Sequence, residues 1–338
     1  MPSPAIVVAI PSLCGGDLLL RCVQSLARQT ERDFEVIVID NSGSGAIAHE
    51  WNARHFDLSF QVISADHNLG FAAAVNLAWK QSTAKMLATL NDDAEAHPEW
   101  LAALRFEMER APDVGMCASQ VRHYGTEQLD SAGMLICLDG SSKQRGQGES
   151  AQLYQKRAEV LLPSASAAIY RREMIEQIGG MDEDFFLYCE DTDLGLRARW
   201  NGWRCVYAPG AVVEHHYSQS AGAASALKAW QIERNRLWVA AKNFPMSLLL
   251  LTPFWSLMRY AWHAIYLLQG RGTASRFTEG GPWALVLLVL RAHWSLARNG
   301  SALWRKRKAI REGALLTPRQ YSALLRRHTI SPREIARL

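Results

Sequence analysis

The chain has 338 residues, a formal net charge of +4, 49% hydrophobic and 21% charged residues. That composition belongs to a folded globular protein and excludes a disordered chain, while the length exceeds what one compact core usually holds. Six scattered cysteines without a CxxC pair argue against a zinc site or a disulfide framework and suit a reducing compartment.

The N-terminus runs into a strand without a basic n-region or signal h-region, so the catalytic part is expected in the cytoplasm. Ala5 to Ile10 is a continuous apolar run closed by Pro11, the pattern of a buried parallel strand. Leu18 to Gln29 has helical spacing, with Leu19, Cys22, Val23 and Leu26 on one face. Phe34 to Ile39 predicts a second buried strand ending at Asp40, and Phe60 to Ile63 a shorter third. Gly70 to Lys80 predicts a helix, and an apolar run from Met86 then stops at Asp92 and Asp93. Short-range alternation of strand and helix marks a parallel sheet with crossover helices, so the fold class is α/β. Further on, Pro98 to Arg110 predicts a helix with proline in its first turn, and Val114 to Val121 a strand. His123 to Glu159, rich in Gly, Ser and Gln, is expected as a hairpin or mobile loop beside the site. Val160 to Tyr170 predicts a strand, Arg172 to Ile178 and Asp191 to Trp200 helices, then Trp203 to Ala208 and Ala211 to Glu214 short strands. Composition changes near Ser225, and no internal repeat is present.

Several of these boundaries carry chemistry. In open α/β sheets ligands bind beyond the carboxyl ends of the strands, where Asp40, Asp92 and Asp93 fall. Adjacent carboxylates repel, and a divalent cation between them and a phosphate relieves the repulsion. A turn explains an Asn-Asp-Asp run equally well, and Asp40 can be a turn or helix cap. Asn68-Leu69-Gly70 precedes a helix whose N-terminus could offer free amides to an anion. Glu190 and Asp191 follow an aromatic run, Phe185 to Tyr188, and burial there raises a carboxylate toward the range of a general base. Asp193 and Arg197, four apart, are expected as a surface pair. His215 and His216 end a strand, and alternation sends them to opposite faces, so one of them can join a mixed oxygen–nitrogen metal site.

In this order the motifs resemble the family 2 glycosyltransferases of GT-A fold, particularly their bacterial rhamnosyltransferase-like and galactofuranosyltransferase-like branch. The matching pieces run from Ile-Val-Val-Ala-Ile-Pro through Phe-Glu-Val-Ile-Val-Ile-Asp-Asn-Ser, Asn-Leu-Gly-Phe-Ala-Ala-Ala-Val-Asn and Leu-Asn-Asp-Asp-Ala. They continue with Ile-Gly-Gly-Met-Asp-Glu-Asp-Phe-Phe, Glu-Asp-Thr-Asp-Leu-Gly-Leu-Arg and Glu-His-His-Tyr-Ser, covering about residues 5 to 220. The resemblance implies a mixed, mainly parallel sheet flanked by helices, with a catalytic domain over 1–222 and a helical, basic C-terminal region over 223–338. It implies an inverting transfer dependent on Mn2+ or Mg2+, from a nucleoside diphosphate sugar to a glycan or lipid-linked glycan acceptor in cell-surface polysaccharide synthesis. The first guess for the donor is dTDP-rhamnose, with UDP-sugars beside it. Asp191 is then the base with Glu190 beside it, Asp93 and His215 hold the metal, and Pro11, Asp40, Asn68, Gly70, Asn76 and Asp92 lie around the donor. Two pieces depart from the family: Pro-Ser-Leu-Cys-Gly-Gly replaces Thr-Tyr-Asn after the first strand, and Ser-Ala-Ser-Ala-Ala lacks the common glycine. Alternatives are a nucleotidyltransferase, or a degenerate transferase fold acting as a membrane scaffold.

Beyond Ser225, Met246 to Gln269 is apolar and aromatic but interrupted by Pro253, Arg259 and His263, and basic clusters follow Ala297. Interrupted apolar helices with basic flanks lie on an anionic membrane surface rather than span it, which predicts a peripheral protein on the inner face of the cell membrane. A packing or homo-oligomer surface is the competing expectation. No recognised motif supports nucleic acid as a partner.

Overall fold

The computed structural model describes residues 4–51, 54, 56–216, 226–272 and 281–337. The expected boundary at 222/223, and Tyr217-Ser218, lie outside them. In chain order the elements are β1 (Ile6–Ser12), α1 (Gly16–Ala27), β2 (Phe34–Asp40), α2 (Ala46–Trp51), β3 (Ser59–Ser64), α3 (Gly70–Lys80), β4 (Met86–Leu90), β5 (Ala94–Ala96) and α4 (Trp100–Arg110). Next come β6 (Val114–His123), β7 (Leu129–Ser131), β8 (Met134–Ile136), β9 (Ser142–Gln144), β10 (Ala158–Val160), β11 (Ala167–Arg171), α5 (Arg172–Ile178), α6 (Glu190–Trp200) and β12 (Arg204–His215). Helices α7 (Ala226–Asn243), α8 (Met246–Leu249), α9 (Thr252–Leu268), α10 (Gly281–Arg298), α11 (Gly300–Glu312), α12 (Pro318–Arg327) and α13 (Pro332–Arg337) complete it.

The chain divides into two compact units, the second taking in Leu135–Lys143 and Arg199–Gly202 together with the C-terminal helices. The first unit is built on a mixed sheet of order β10-β12-β6-β11-β4-β1-β2-β3. Strands β4, β1, β2 and β3 run parallel, and β11 enters antiparallel between β4 and β6. Side-chain alternation along β1 sends Ile6, Val8 and Ile10 into one apolar layer and Val7 and Ala9 into the other. Helices therefore cover both faces, as a parallel sheet of continuous apolar strands requires. Pro11 lies within β1 rather than closing it. It pairs with Ile39, beyond the stretch where β1 meets β4, so its missing amide costs no bond on that side.

Three predicted strands are redrawn. The Val160 to Tyr170 strand is two strands, broken by a loop around Pro163 that carries Ala165 and Ser166. The two short strands after Trp203 form one, β12, with an irregularity between Ala208 and Val212 where Pro209 and Gly210 interrupt its ladder with β6. The segment from His123 to Glu159 is ordered in short strands, and β7 pairs with β6.

The second unit is helical. Its centre is a buried charge cluster in which Arg236 of α7 and Arg259 of α9 both contact Asp139 and Glu233. Two cations facing two carboxylates, with Tyr260 bonded to Glu233, lower both acids, Glu233 well below the ordinary carboxylate range. Trp200 stacks on Tyr321 with ring centroids 3.8 Å apart.

Candidate active site

Neighbouring strand ends bring the first group together. Ser12, the last residue of β1, donates its hydroxyl to Asp92 Oδ2 at 2.6 Å, just past the end of β4. Burial, with the like charge of Asp93, lifts the Asp92 carboxyl to about 6. Asp93 is driven the other way. Burial opposes ionisation there too, but His215 Nε2 stands 2.9 Å from Asp93 Oδ1, and that bond and charge keep the acid below its usual value.

His215 is the last residue of β12, and its ring lies between two carboxylates. Nδ1 faces Asp130 Oδ2 at 3.0 Å while Nε2 faces Asp93. The ring is buried, which disfavours its charge, yet the two acids prevail and push its pKa up to about 10. His216 points the opposite way, bonding Glu95 at 3.1 Å and stacking on Tyr124 at 3.8 Å. Asp130 in β7 was not anticipated. Its sequence signal is weak, one of several acids in a polar segment, between Leu129 and Ser131.

The hydrogen-bonded pair Asp93 Oδ1 and His215 Nε2 would suit a divalent ion once the proton between them is released. Neighbouring ligands at about 2.1 Å on an octahedral magnesium-type ion are about 3 Å apart, the separation of Asp93 Oδ1 and His215 Nε2. An acid behind the distal ring nitrogen is the usual support of a metal-bound histidine, and Asp130 occupies that position. Among the described residues no group of three or more His, Cys, Asp or Glu converges on one point. A full protein cage is therefore not built, and an ion sharing its coordination with water and substrate phosphates suits this donor set.

The second group sits at the start of α6. Asp191 accepts hydrogen bonds from the Ala165 amide at 3.2 Å, the Thr192 amide at 2.6 Å and the Thr192 hydroxyl at 3.2 Å. Burial raises its pKa while these bonds oppose the rise. Glu190 is buried, and its Oε2 has no hydrogen-bond partner among the described residues. Burial, then the adjacent Asp191, push its carboxyl well above the ordinary range. The better-bonded Asp191 is thus the one held as a carboxylate, and Glu190 the one held neutral. The loop joins both groups: the Asn91 amide donates to the Ser166 carbonyl at 2.9 Å, one residue from the Ala165 amide that holds Asp191.

Backbone strain gathers just before these acids. Phe186, Tyr188 and Cys189 all have φ between 63° and 69°, a region L-residues avoid. Phe186 is fixed by its carbonyl, which accepts the Phe71 amide at 2.7 Å. Such an approach requires Gly70: a Cβ there would stand 2.3 Å from that carbonyl oxygen, at a φ of +77°.

Three expectations are corrected. The amides at the start of α3 are not free for an anion: Leu69 donates to Asn41 Oδ1, Gly70 to Asn68 Oδ1 and Phe71 to Phe186. Asn76 uses both amide hydrogens on Met181 and Glu183, and so pins the chain leading to α6 instead of facing a ligand. Asp193 and Arg197 are no surface pair. Both are buried, 2.8 Å apart, because the guanidinium also caps the carbonyls of Ile178, Gly179 and Gly180 at the end of α5. Asp40 is likewise buried, and its carboxylate accepts from Ser42 and from the Ala48 amide in α2, the arrangement of a cap.

Comparison with known proteins gives this geometry its context. The model of Glycosyl transferase family 2 matches residues 7–179, more than half of the chain. The O-antigen biosynthesis protein RfbC of Myxococcus xanthus is 28% identical over 265 residues, covering 72% of this chain and 20% of RfbC. The N-acetylglucosaminyl-diphospho-decaprenol L-rhamnosyltransferase of Mycobacterium tuberculosis is 28% identical over 230 residues, covering 61% of this chain and 74% of that protein. The chain spans only 20% to 25% of the length of the longer curated relatives it matches. Among solved structures, the mannosyltransferase PcManGT of Pyrobaculum calidifontis, in complex with GDP-Man and Mn2+, superposes with a TM-score of 0.52 at 18% identity, covering 96% of this chain and 84% of that one. The chain therefore belongs to glycosyl transferase family 2, and its fold is GT-A.

Proposed function

We propose that the protein is an inverting, divalent-metal-dependent transferase that moves a sugar, rhamnose in the first instance, from a dTDP- or UDP-linked donor to a glycan or lipid-linked glycan acceptor. The observation that carries this reading is the Asp93–His215–Asp130 array, joined through the Ala165–Ser166 loop to Asp191. The named rhamnosyltransferase relative and the Mn2+ complex of the mannosyltransferase neighbour support the donor and metal parts.

In this reading Asp93 and His215 hold Mn2+ or Mg2+, and the ion supplies charge neutralisation for the diphosphate. The donor occupies the carboxyl ends of β1 and β4, beside Pro11, Asp40 and Asp92, while Asn68 and Gly70 shape the wall around it. Asp191 takes the proton of the acceptor hydroxyl, whose oxygen bonds to the anomeric carbon as the bond to the β-phosphate oxygen breaks. The sugar inverts and the nucleoside diphosphate leaves. Glu190, neutral, keeps a second negative charge away from that step. Base catalysis of this kind contributes about 100- to 10,000-fold. An acceptor carried by lipid places the work at a membrane, with the protein peripheral on its cytoplasmic, anionic face.

Calorimetric titration of nucleoside diphosphates and their sugars, with and without Mn2+, tests the assignment on wild type and Asp93→Ala. Metal-dependent binding of one nucleotide, lost in the variant, is expected. Equal binding by both proteins, or binding indifferent to metal, would refute it.

A further inference from the structure

Helix α9 is built inside out. Its polar residues Thr252, Ser256, Arg259 and His263 recur at helical spacing, and the first three are buried. They face the charge cluster: Arg236 reaches Ser256 at 3.1 Å, Arg259 binds Asp139 and Glu233, and His263 meets Arg259 at 3.1 Å. The opposite stripe, Phe254, Leu257, Ile265 and Leu268, is apolar and exposed, Leu268 to 89%. Helix α10 presents a second such stripe, Trp283, Leu287, Leu290 and Trp294, each at least 59% exposed. A water-facing helix shows the reverse polarity, and contiguous exposed apolar surface marks a contact site.

Charge identifies what covers it. Residues 246–338 contain fifteen Lys or Arg against three Asp or Glu, so an occupant of negative charge is favoured. Tryptophans at both ends of the α10 stripe suit the boundary between headgroups and acyl chains. No helix among the described residues is long and apolar enough to cross a membrane.

We infer that α9 and α10 lay their exposed stripes into the surface of an anionic phospholipid bilayer, without spanning it. This deepens the membrane-side acceptor proposed above by naming the face, and it stands on observations separate from the catalytic site. The test uses the full-length protein and vesicles of phosphatidylcholine, alone or mixed with phosphatidylglycerol. Monomeric protein is expected to sediment with the anionic vesicles only, and to weaken as salt rises from about 0.1 M to about 1 M and the Debye length shrinks from about 10 to about 3 Å. Bromine on shallow acyl carbons should quench tryptophan emission. Leu257→Glu with Leu268→Glu should reduce binding by about 100-fold, since each buried leucine contributes more than about tenfold. Turnover on a water-soluble acceptor should stay at the wild-type rate, which separates failure of this inference from failure of the catalytic reading. Absence of vesicle binding, binding untouched by the double substitution, or a dimer in light scattering that the same substitution dissociates would each overturn it. Should the variant fail to fold, the bromine quenching of the wild type decides alone, and unquenched emission refutes the inference.

Discussion

Substituting Gly70 by alanine tests whether the approach of Phe186 to α3 is as tight as described. A methyl there sits 2.3 Å from the Phe186 carbonyl oxygen and 2.6 Å from its Cδ2 atom. The carbonyl is backbone, so no rotamer change relieves it. Relief means moving Phe186 by about 1 Å, which breaks its bond to the Phe71 amide at a cost of about 1 kcal/mol and adds overpacking of about 1–3 kcal/mol. The left-handed φ contributes a further ~1–2 kcal/mol, partly offset by the stiffer unfolded chain. The expected loss is about 3–5 kcal/mol, and Tm should fall by at least about 6 °C in a unit of this size. Gly16→Ala is the control, with a φ of +78° and nothing within 4 Å of the added carbon, so only the backbone cost of about 1 kcal/mol remains. Thermal unfolding of both variants, followed by circular dichroism, gives the comparison. Should Gly70→Ala prove no less stable than Gly16→Ala, the described contact between α3 and the strained segment is wrong.

Two other outcomes follow from the electrostatics. Because Asp191 must be ionised to accept a proton and its pKa is raised, kcat/KM should fall with decreasing pH at a point above the ordinary carboxylate value of about 3.9. Asp191→Asn should lose about 100- to 10,000-fold, whereas Glu190→Gln, which mimics a neutral carboxyl, should stay within a few-fold; equal losses in rate assays would contradict the division of roles. For His215 the folded pKa lies above the unfolded one, so its two ion pairs stabilise the metal-free protein fully below about pH 6.5, and this is lost as pH rises through about 10. Asp130→Asn should flatten that pH dependence in denaturant titrations. It should also weaken Mn2+ binding by about 10- to 100-fold in calorimetry; unchanged affinity would remove Asp130 from the site.

The apolar runs of β2 and β4 ended at carboxylates that could be read directly, because strand length and strand end are local properties. What the residues beside them do was less legible. The spacing of Asp193 and Arg197 announced their pairing but not its burial, which depends on the carbonyls at the end of α5, distant in sequence. Asp130 was invisible for the same reason: one acid among others in a polar hairpin gains meaning only when β7 pairs with β6 beside the end of β12. In α9, Arg259 and His263 looked like interruptions of an apolar helix, although Arg259 is buried and His263 lies beside it on the same face. Hydropathy along the chain records polarity without recording which side faces inward.

The irregularity in β12 also counts residues. Ala208 pairs with Ser119 and Val212 with Gln120, so three residues, Pro209 to Ala211, are inserted between adjacent rungs of the ladder. An odd number reverses the parity of everything downstream, since each strand residue faces opposite to the last. Removing one of them would slide His216 into the place of His215 and carry Glu214 into the buried slot of Val213. The Asp93–His215–Asp130 array and the apolar layer are thus phased by one short insertion. Sliding the strand by one residue brings His216 to the place of His215 and by two brings Tyr217, so the length of this insertion is constrained as closely as its composition.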